Sequence, residues 1–559
     1  MGVGVCHSGR GSSDGAHGVG SLAGPLCGSR SGRAAARPSR SGVTMNQPAY
    51  PNHVREALSS GRFMLSIEVA TADAIRPVLA LARQIRNDPR IDAIALTDRS
   101  RSDHDHDPIV VGHRVAEVSG KMPIVHWAGK DRALTTLEAD VARANALGLD
   151  TLLLVTGDKV RQQPADRPVR YLDSVNALYA ARRRAPELLL AAAVSPFKYR
   201  EEELINQYLK AAKKLRAGAN LLMSQIGWDP RKFEELRWFL ERRGYRAPLV
   251  AELLLLTPAR SRRIRRIGLP GVTITDGLAQ RLEEEASSPD GGRAAAFRRL
   301  ALQMTSLRDL GYAGAQVSGL ETYTGIMHLL DDIETVIREY PTSEARRRAW
   351  LELLMLKDGR TAQVAPAGGV DLRASARVEP AAPNPGRGGP RTGERARFRV
   401  MDLIDHLLFQ EGSFGARALA PALRRLDARS GPGALLLRLE RVIKEPLVGC
   451  QSCGFCRLPH TAYVCPETCP KGLANGPCGG TKDNVCEFGD RECIHNQIYR
   501  VSKQAGLLAN LEEVLMPPVP EAAWGSCSWV THFQGEGPKV KRLPAPGTQG
   551  KPSDASQSL

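Results

Sequence analysis

The residues best suited to chemistry lie between Cys450 and Cys493. They are Cys450, Cys453, Cys456, Cys465, Cys469, Cys478, Cys486 and Cys493, spaced C-x2-C-x2-C-x8-C-x3-C-x8-C-x7-C-x6-C, and they make up eight of the eleven cysteines in the 559 residues. Thiolates are soft ligands, and short C-x2-C steps let neighbours reach one ion without long loop closure. Gly472, Gly476, Gly479 and Gly480 supply the tight turns such a site needs. A disulfide knot is the competing reading, disfavoured because no segment reads as an export signal and disulfides are rare in reducing compartments. Eight thiolates suit two four-iron clusters, zinc, or one of each. The C-x2-C-x2-C triplet and the Cys465-Pro466 and Cys469-Pro470 pairs lean toward iron–sulfur. Cys527 stands apart and is expected to be an ordinary thiol.

A second, dispersed set of polar residues closes short apolar runs earlier in the chain. Glu68 interrupts LSIEVA, Thr97 and Asp98 follow AIAL, and His126 sits in PIVHW. Thr156-Gly157-Asp158 follows TLLLV, Gln225 follows LLMS, and Glu252 lies in LVAELL. A carboxylate partly removed from water is expected to hold a proton near neutral pH, which makes Glu68 a candidate general acid.

These runs alternate with amphipathic stretches. Strands are predicted at Phe63–Val69, Ala93–Thr97, Pro123–Trp127, Thr151–Thr156, Leu188–Ser195, Asn220–Gln225, Pro248–Leu253 and Ala313–Ser318. Helices are predicted at Ile75–Ile85, Leu134–Leu147, Glu201–Leu215 and Lys232–Arg242, with an extra helical excursion near Gln280–Arg308. Eight strand–helix units predict an α/β fold, a (β/α)8 TIM barrel, whose function gathers at the C-terminal ends of its strands. The expected organisation is an extension over 1–44 that cannot bury enough surface to fold, with Met45 as the expected start. A catalytic barrel over 45–358, a Pro/Gly/Arg-rich linker over 359–397, a helical cysteine-rich domain over 398–516 and a loose tail over 517–559 follow. Helical spacing at Val400, Leu403, Ile404, Leu407 and Leu408, and at Leu435, Leu436, Leu439, Val442 and Ile443, predicts helices cradling the cysteines.

Apolar content of 42% and charged content of 25% are those of an ordinary globular protein. No apolar run approaches the roughly 20 residues a membrane span requires. The net charge of +17 would suggest nucleic acid, but nine of those charges sit in 1–44 and 359–399, so nucleic-acid binding is not expected.

Two parts of the chain resemble the methylenetetrahydrofolate reductase family. The barrel is similar over Phe63–Ser318, through SIEVA, VHWAGKDR, LLLVTGD and AGANLLMSQIGWD. Residues Phe398–Gly506 resemble the cysteine-rich small subunit that accompanies the reductase in some anaerobes, most specifically through CPKGLANGPCGG. The resemblance implies a fusion of both parts that reduces 5,10-methylenetetrahydrofolate to 5-methyltetrahydrofolate by hydride transfer from reduced flavin. It places the catalytic acid on Glu68 and the aspartate by the flavin pyrimidine edge, which also meets the pterin, on Asp158. Flavin contacts fall on Thr97, His126 and Lys214, and the folate-binding glutamine on Gln225. FAD is implied ahead of FMN. NAD(P)H or an electron-carrier protein is implied as reductant, and the chain is expected to be cytoplasmic and compatible with a homo-oligomer. Three departures stand out: Val69-Ala70-Thr71 replaces an aromatic and Pro-Pro stretch, Thr156 replaces an arginine, and Ser195-Pro196-Phe197 replaces Tyr-Pro-Glu. The alternatives are a flavin-free folate or one-carbon barrel that transfers methyl groups, and a zinc-binding module with basic nucleic-acid-binding segments.

Overall fold

A computed structural model describes residues 50–71, 75–100, 102, 105–160, 169–366, 369–377 and 391–545. The expected extension over 1–44, with Cys6 and Cys27, lies outside the described residues, as do residues 378–390 of the expected linker.

Eight parallel strands close on themselves in sequence order: β1 Met64–Ala70, β2 Ala93–Thr97, β3 Ile124–Ala128, β4 Thr151–Val155, β5 Leu189–Val194, β6 Leu221–Ser224, β7 Leu249–Leu254 and β8 Gly314–Ser318. β8 returns to β1, with Ser66 beside Gln316 and Glu68 beside Ser318. The fold is a TIM barrel. Parallel strands covered by helices are buried on both faces, so they read as near-continuous apolar runs rather than alternating ones. Met64, Ala93, Ala95, Ile124, Leu153, Ala191, Met223 and Val250 pack inside the cylinder, and a larger core fills the space between sheet and helices. The helix His53–Ser60 inserts Val54 and Ala57 into the inner core from below. Asn52 anchors that plug through hydrogen bonds to Asp150 (2.6 Å) and Thr151 (2.8 Å).

Helix starts are encoded locally. Asp107, Asp173 and Asp229 each accept the amide hydrogen two residues on, and Pro108 and Pro230 occupy the first helical turn, where a missing N–H costs nothing. The excursion before β8 consists of Asp276–Ala286 and Arg293–Asp309.

Outside the barrel the boundaries differ from expectation. Part of the expected linker lies on the barrel: the Val370 amide donates to the Tyr199 carbonyl at 3.0 Å, and Lys232 donates to the Val370 carbonyl at 2.6 Å. A helix spans Thr392–Leu408, starting before the expected boundary at Phe398, because Glu394 caps it and pairs with buried Arg500. The expected loose tail is packed as far as residue 545. Cys527, Val530 and Phe533 join a small core with Ala416 and Leu423, and Lys541–Arg542 pairs with Val514–Leu515. The helix Gly431–Val448 forms as predicted but turns its apolar stripe outward: Leu435 and Val442 are about 70% exposed (68% and 72%). Its buried face carries Glu440 and Lys444, because those charges meet the thiol-bearing loop.

Candidate functional site: barrel mouth and thiol sets

Side chains two apart on a strand share a face, so the polar residues near the strand ends project into the barrel above the apolar interior. Val155, Ala193 and Glu68 are half-buried, whereas Leu153, Ala191 and Ser66, two residues earlier on the same faces, are fully buried. The cylinder therefore opens at this level. There, Glu68 of β1 meets Gln316 and Ser318 of β8. The Gln316 Nε2 donates to Glu68 Oε2 at 3.1 Å, and the Ser318 hydroxyl contacts Glu68 Oε1 at 2.8 Å. The same two residues contact Glu252 of β7 more closely, Gln316 Nε2 to Oε2 at 2.6 Å and Ser318 Oγ to Oε1 at 2.6 Å. His126 Nε2 lies 3.5 Å from Gln316 Nε2. Burial lowers the His126 pKa, opposed by the charge of Glu68, so its imidazole is held neutral. Burial, reinforced by the charge of Glu68, pushes the Glu252 carboxyl well above the usual carboxylate range.

Sequence reasoning placed Glu68 and His126 here. It noted Glu252 without giving it a role and missed Gln316 and Ser318. The available signal was their position on one face of the otherwise apolar GAQVS strand.

The other expected residues ring the same mouth. Thr97 ends β2, and its hydroxyl shares a 2.7 Å hydrogen bond with Ser100. Asp98 next to it accepts the Ala128 amide hydrogen at 2.8 Å and pairs with Arg132. Asp158 follows Gly157, whose φ of +85° disfavours other residues and where a β-carbon would lie 3.0 Å from Lys130 Cβ and 3.2 Å from Ala128 Cβ. Lys214 reaches in from the helix Glu201–Arg216 and donates to the Ala193 carbonyl at 2.6 Å; burial, with Lys210 beside it, brings its pKa down to about 7. Gln225 lies past β6, its Oε1 accepting from the Ile226 amide at 2.9 Å. A β-carbon on Gly271 would come within 3.3 Å of its Nε2 and 2.9 Å of the Gly479 carbonyl, so the cysteine-rich domain touches this side of the mouth.

The eight cysteines fall into two sets. Cys450, Cys453, Cys456 and Cys465 surround one small cavity, and Cys450 and Cys456 act electrostatically on Cys465. Cys469, Cys478, Cys486 and Cys493 form the other, Cys493 feeling all three of its companions. Burial pushes the thiols of Cys453, Cys465 and Cys469 up to about 12. Such thiols ionise only when a cation compensates them. Lys444 stands 3.6 Å from the Cys456 sulfur in the first set. Around the second, Ser195 Oγ, Gln207 Nε2 and His495 Nε2 are buried without a hydrogen-bond partner. Among the described residues no three His, Cys, Asp or Glu side chains meet closely enough to hold an ion, so each set is gathered short of ligand distance.

The second set is bound directly to the barrel. Lys471 donates to the Gly157 carbonyl (2.8 Å) and pairs with Glu487 (2.5 Å), Lys210 donates to the Gly476 carbonyl (2.9 Å), and Lys198 donates to the Thr481 carbonyl.

Residues 53–330 match the model of the methylenetetrahydrofolate reductase family, and residues 433–520 match the model described as the methylene-tetrahydrofolate reductase C terminal. The chain belongs to the methylenetetrahydrofolate reductase family. It is thus a folate-related reductase with a TIM-barrel catalytic domain and the family's C-terminal module. A search of curated proteins returned no match. Among solved structures, an uncharacterized protein from Clostridium thermocellum that binds two copies of 5-methyl-5,6,7,8-tetrahydrofolic acid is 10% identical, covering 51% of this chain and 99% of its own, with a TM-score of 0.38. A 2,3-dimethylmalate lyase of the PEP mutase/isocitrate lyase superfamily is 11% identical, covering 52% and 88%, with a TM-score of 0.29. Likenesses of this size carry no functional argument. Among the described residues no helix of this reductase-family chain is long and apolar enough to cross a membrane.

Proposed function

We propose that the chain reduces 5,10-methylenetetrahydrofolate to 5-methyltetrahydrofolate with a flavin bound at the barrel mouth and Glu68 as general acid. The observation that carries this reading is the half-buried Glu68 carboxyl, held from one side by Gln316 and Ser318 and open to the mouth on the other. The surroundings fit a planar ring system: Val155 and Ala193 form a short-chained apolar wall, and Thr97, His126 and Lys214 offer polar edges. FAD is the expected flavin, which when bound supplies the hydride.

Glu68 donates a proton to the bridging nitrogen, opening the methylene bridge to an iminium whose carbon accepts that hydride. Asp158 carries negative charge to the flavin pyrimidine edge and disfavours an anionic reduced ring. Gln225 offers one acceptor and one amide donor to a pterin edge. Neutral His126 withholds a competing proton.

The two thiol sets suit four-thiolate metal sites. Cys450, Cys453, Cys456 and Cys465 would hold one and Cys469, Cys478, Cys486 and Cys493 the other, with iron–sulfur clusters supplying single electrons or zinc supplying structure. Contact of the second set with Gly157, one residue from Asp158, favours it as the electron entry point from a carrier protein.

Purified protein should carry flavin, and Glu68→Gln should keep it while folate reduction falls by about 10²–10⁴-fold. Parental activity in that variant removes Glu68 from the mechanism.

A further inference from the structure

The two carboxyls share more contacts than their partners have hydrogens. Gln316 Nε2 carries two hydrogens and meets Glu68 Oε2 and Glu252 Oε2; the Ser318 hydroxyl carries one and meets Glu68 Oε1 and Glu252 Oε1. Ser66 Oγ, 3.5 Å from Gln316 Oε1, supports that orientation of the amide. Four contacts against three hydrogens leave one to be supplied by a carboxyl group. Glu252 is the better holder, being 6% exposed where Glu68 is open to the mouth.

The geometry points to Glu68, Ser318 and Glu252 as a single unit that holds one proton in reserve and delivers it through the Ser318 hydroxyl to Glu68. The inference rests on the reading of Glu68 as general acid. At rest the Glu252 Oε1–H donates to Ser318 Oγ, and Ser318 donates to the Glu68 carboxylate. When substrate covers Glu68 and removes its water, the Glu252 Oε1–H bond breaks as a new Ser318 Oγ–H forms. The former Ser318 hydrogen passes to Glu68 Oε1. The negative charge moves to Glu252, where the 2.6 Å hydrogen bond from Gln316 receives it. Glu68 then protonates the bridging nitrogen, and the unit regains one proton from water through Glu68 once product leaves.

His126 of β3 faces the pair and is held neutral by burial. β2, β4, β5 and β6 present uncharged side chains toward it, Thr97, Val155, Ala193 and Gln225 among them. The charged groups that ring the same mouth beyond the strand ends have partners of their own: Asp98 pairs with Arg132, Asp158 acts on Lys471, and Lys214 is held by the Ala193 carbonyl. Glu252 and Ser318 are thus positioning residues acting through Glu68.

The test is single-turnover oxidation of the photoreduced full-length flavoprotein by 5,10-methylenetetrahydrofolate, followed by flavin absorbance across pH. Burial and the charge of Glu68 keep the Glu252 proton on well above the usual carboxylate range, so the parent should keep its rate into alkaline solution. Glu252→Gln and Ser318→Ala should each move the alkaline limb down by about one pH unit or more, an approximately tenfold loss at the upper end with little loss at the lower. Ser318→Thr keeps the hydroxyl and should restore the parental profile. A uniform loss across pH, or an unmoved limb in Ser318→Ala, overturns the relay while slow Glu68→Gln leaves the general acid intact. Parental rates in Glu68→Gln, or a chain without flavin, overturn the reading beneath both.

Discussion

Lys471 of the cysteine-rich domain donates to the carbonyl of Gly157 at the mouth of the barrel, across 2.8 Å, while its ammonium pairs with Glu487. Both partners of that ion pair are 2% exposed. One residue thus fixes the spacing between the second thiol set and the segment that presents Asp158.

Removing one partner of a buried pair strands the other charge. Lys471→Met is expected to destabilise the protein by about 3–5 kcal/mol, and the double variant Lys471→Met/Glu487→Gln by much less. Thermal unfolding of the three proteins measures this. If the single variant melts with the parent, the pair does not carry the docking.

Glu252 gives stability a definite pH dependence. Burial raises its carboxyl above the ordinary value of 4.5, so above about that pH the folded state holds a proton that the unfolded chain releases. Stability therefore falls as pH rises from there toward the folded-state value. Glu252→Gln removes the titration: its unfolding midpoint should match the parent's near pH 4 and exceed it increasingly toward neutrality. Equal midpoints at neutral pH would contradict the assigned direction.

The partition of the thiols predicts metal content. In protein purified without oxygen, Cys465→Ser should lower the metal content of the first set alone and Cys478→Ser that of the second alone. Cys527→Ala, whose thiol is buried beside Glu440 and packs with Val530 and Phe533, should leave metal unchanged. Elemental analysis of the three variants decides, and a loss in Cys527→Ala refutes the grouping.

Gly157→Ala puts a β-carbon about 3 Å from the Lys130 side chain in a left-handed backbone conformation. A cost of about 1–3 kcal/mol is expected, together with weakened flavin retention because Asp158 is displaced. Unfolding and flavin release on dilution measure the two effects separately.

Much of this was legible from sequence because the barrel strands are buried on both faces. Continuous runs such as TLLLV announce themselves, and all eight strands lie within about a residue of expectation. Glu68 and His126 were legible as polar exceptions to apolar runs. Ser318 was not, since a serine closing a strand is unremarkable until β8 is known to pair with β1. The helix Gly431–Val448 misled for a related reason. Its leucines keep core-like spacing, yet the buried Glu440–Lys444 pair, stacked toward Cys456 and Ser528, decides which side turns inward. The tail was missed because its helix Ser528–Phe533 spans six residues, too few for periodicity to register.

The thiol-rich module is anchored by Lys471 to the loop after β4, by Lys198 from the loop after β5 and by Lys210 from the helix Glu201–Arg216, which under the proposed redox role limits how electrons travel. A tether of that kind forbids the swinging-arm shuttle used where redox modules ride on flexible hinges. On the proposed reading an external donor meets a stationary port, and the path length inside is set when the chain folds rather than at each turnover.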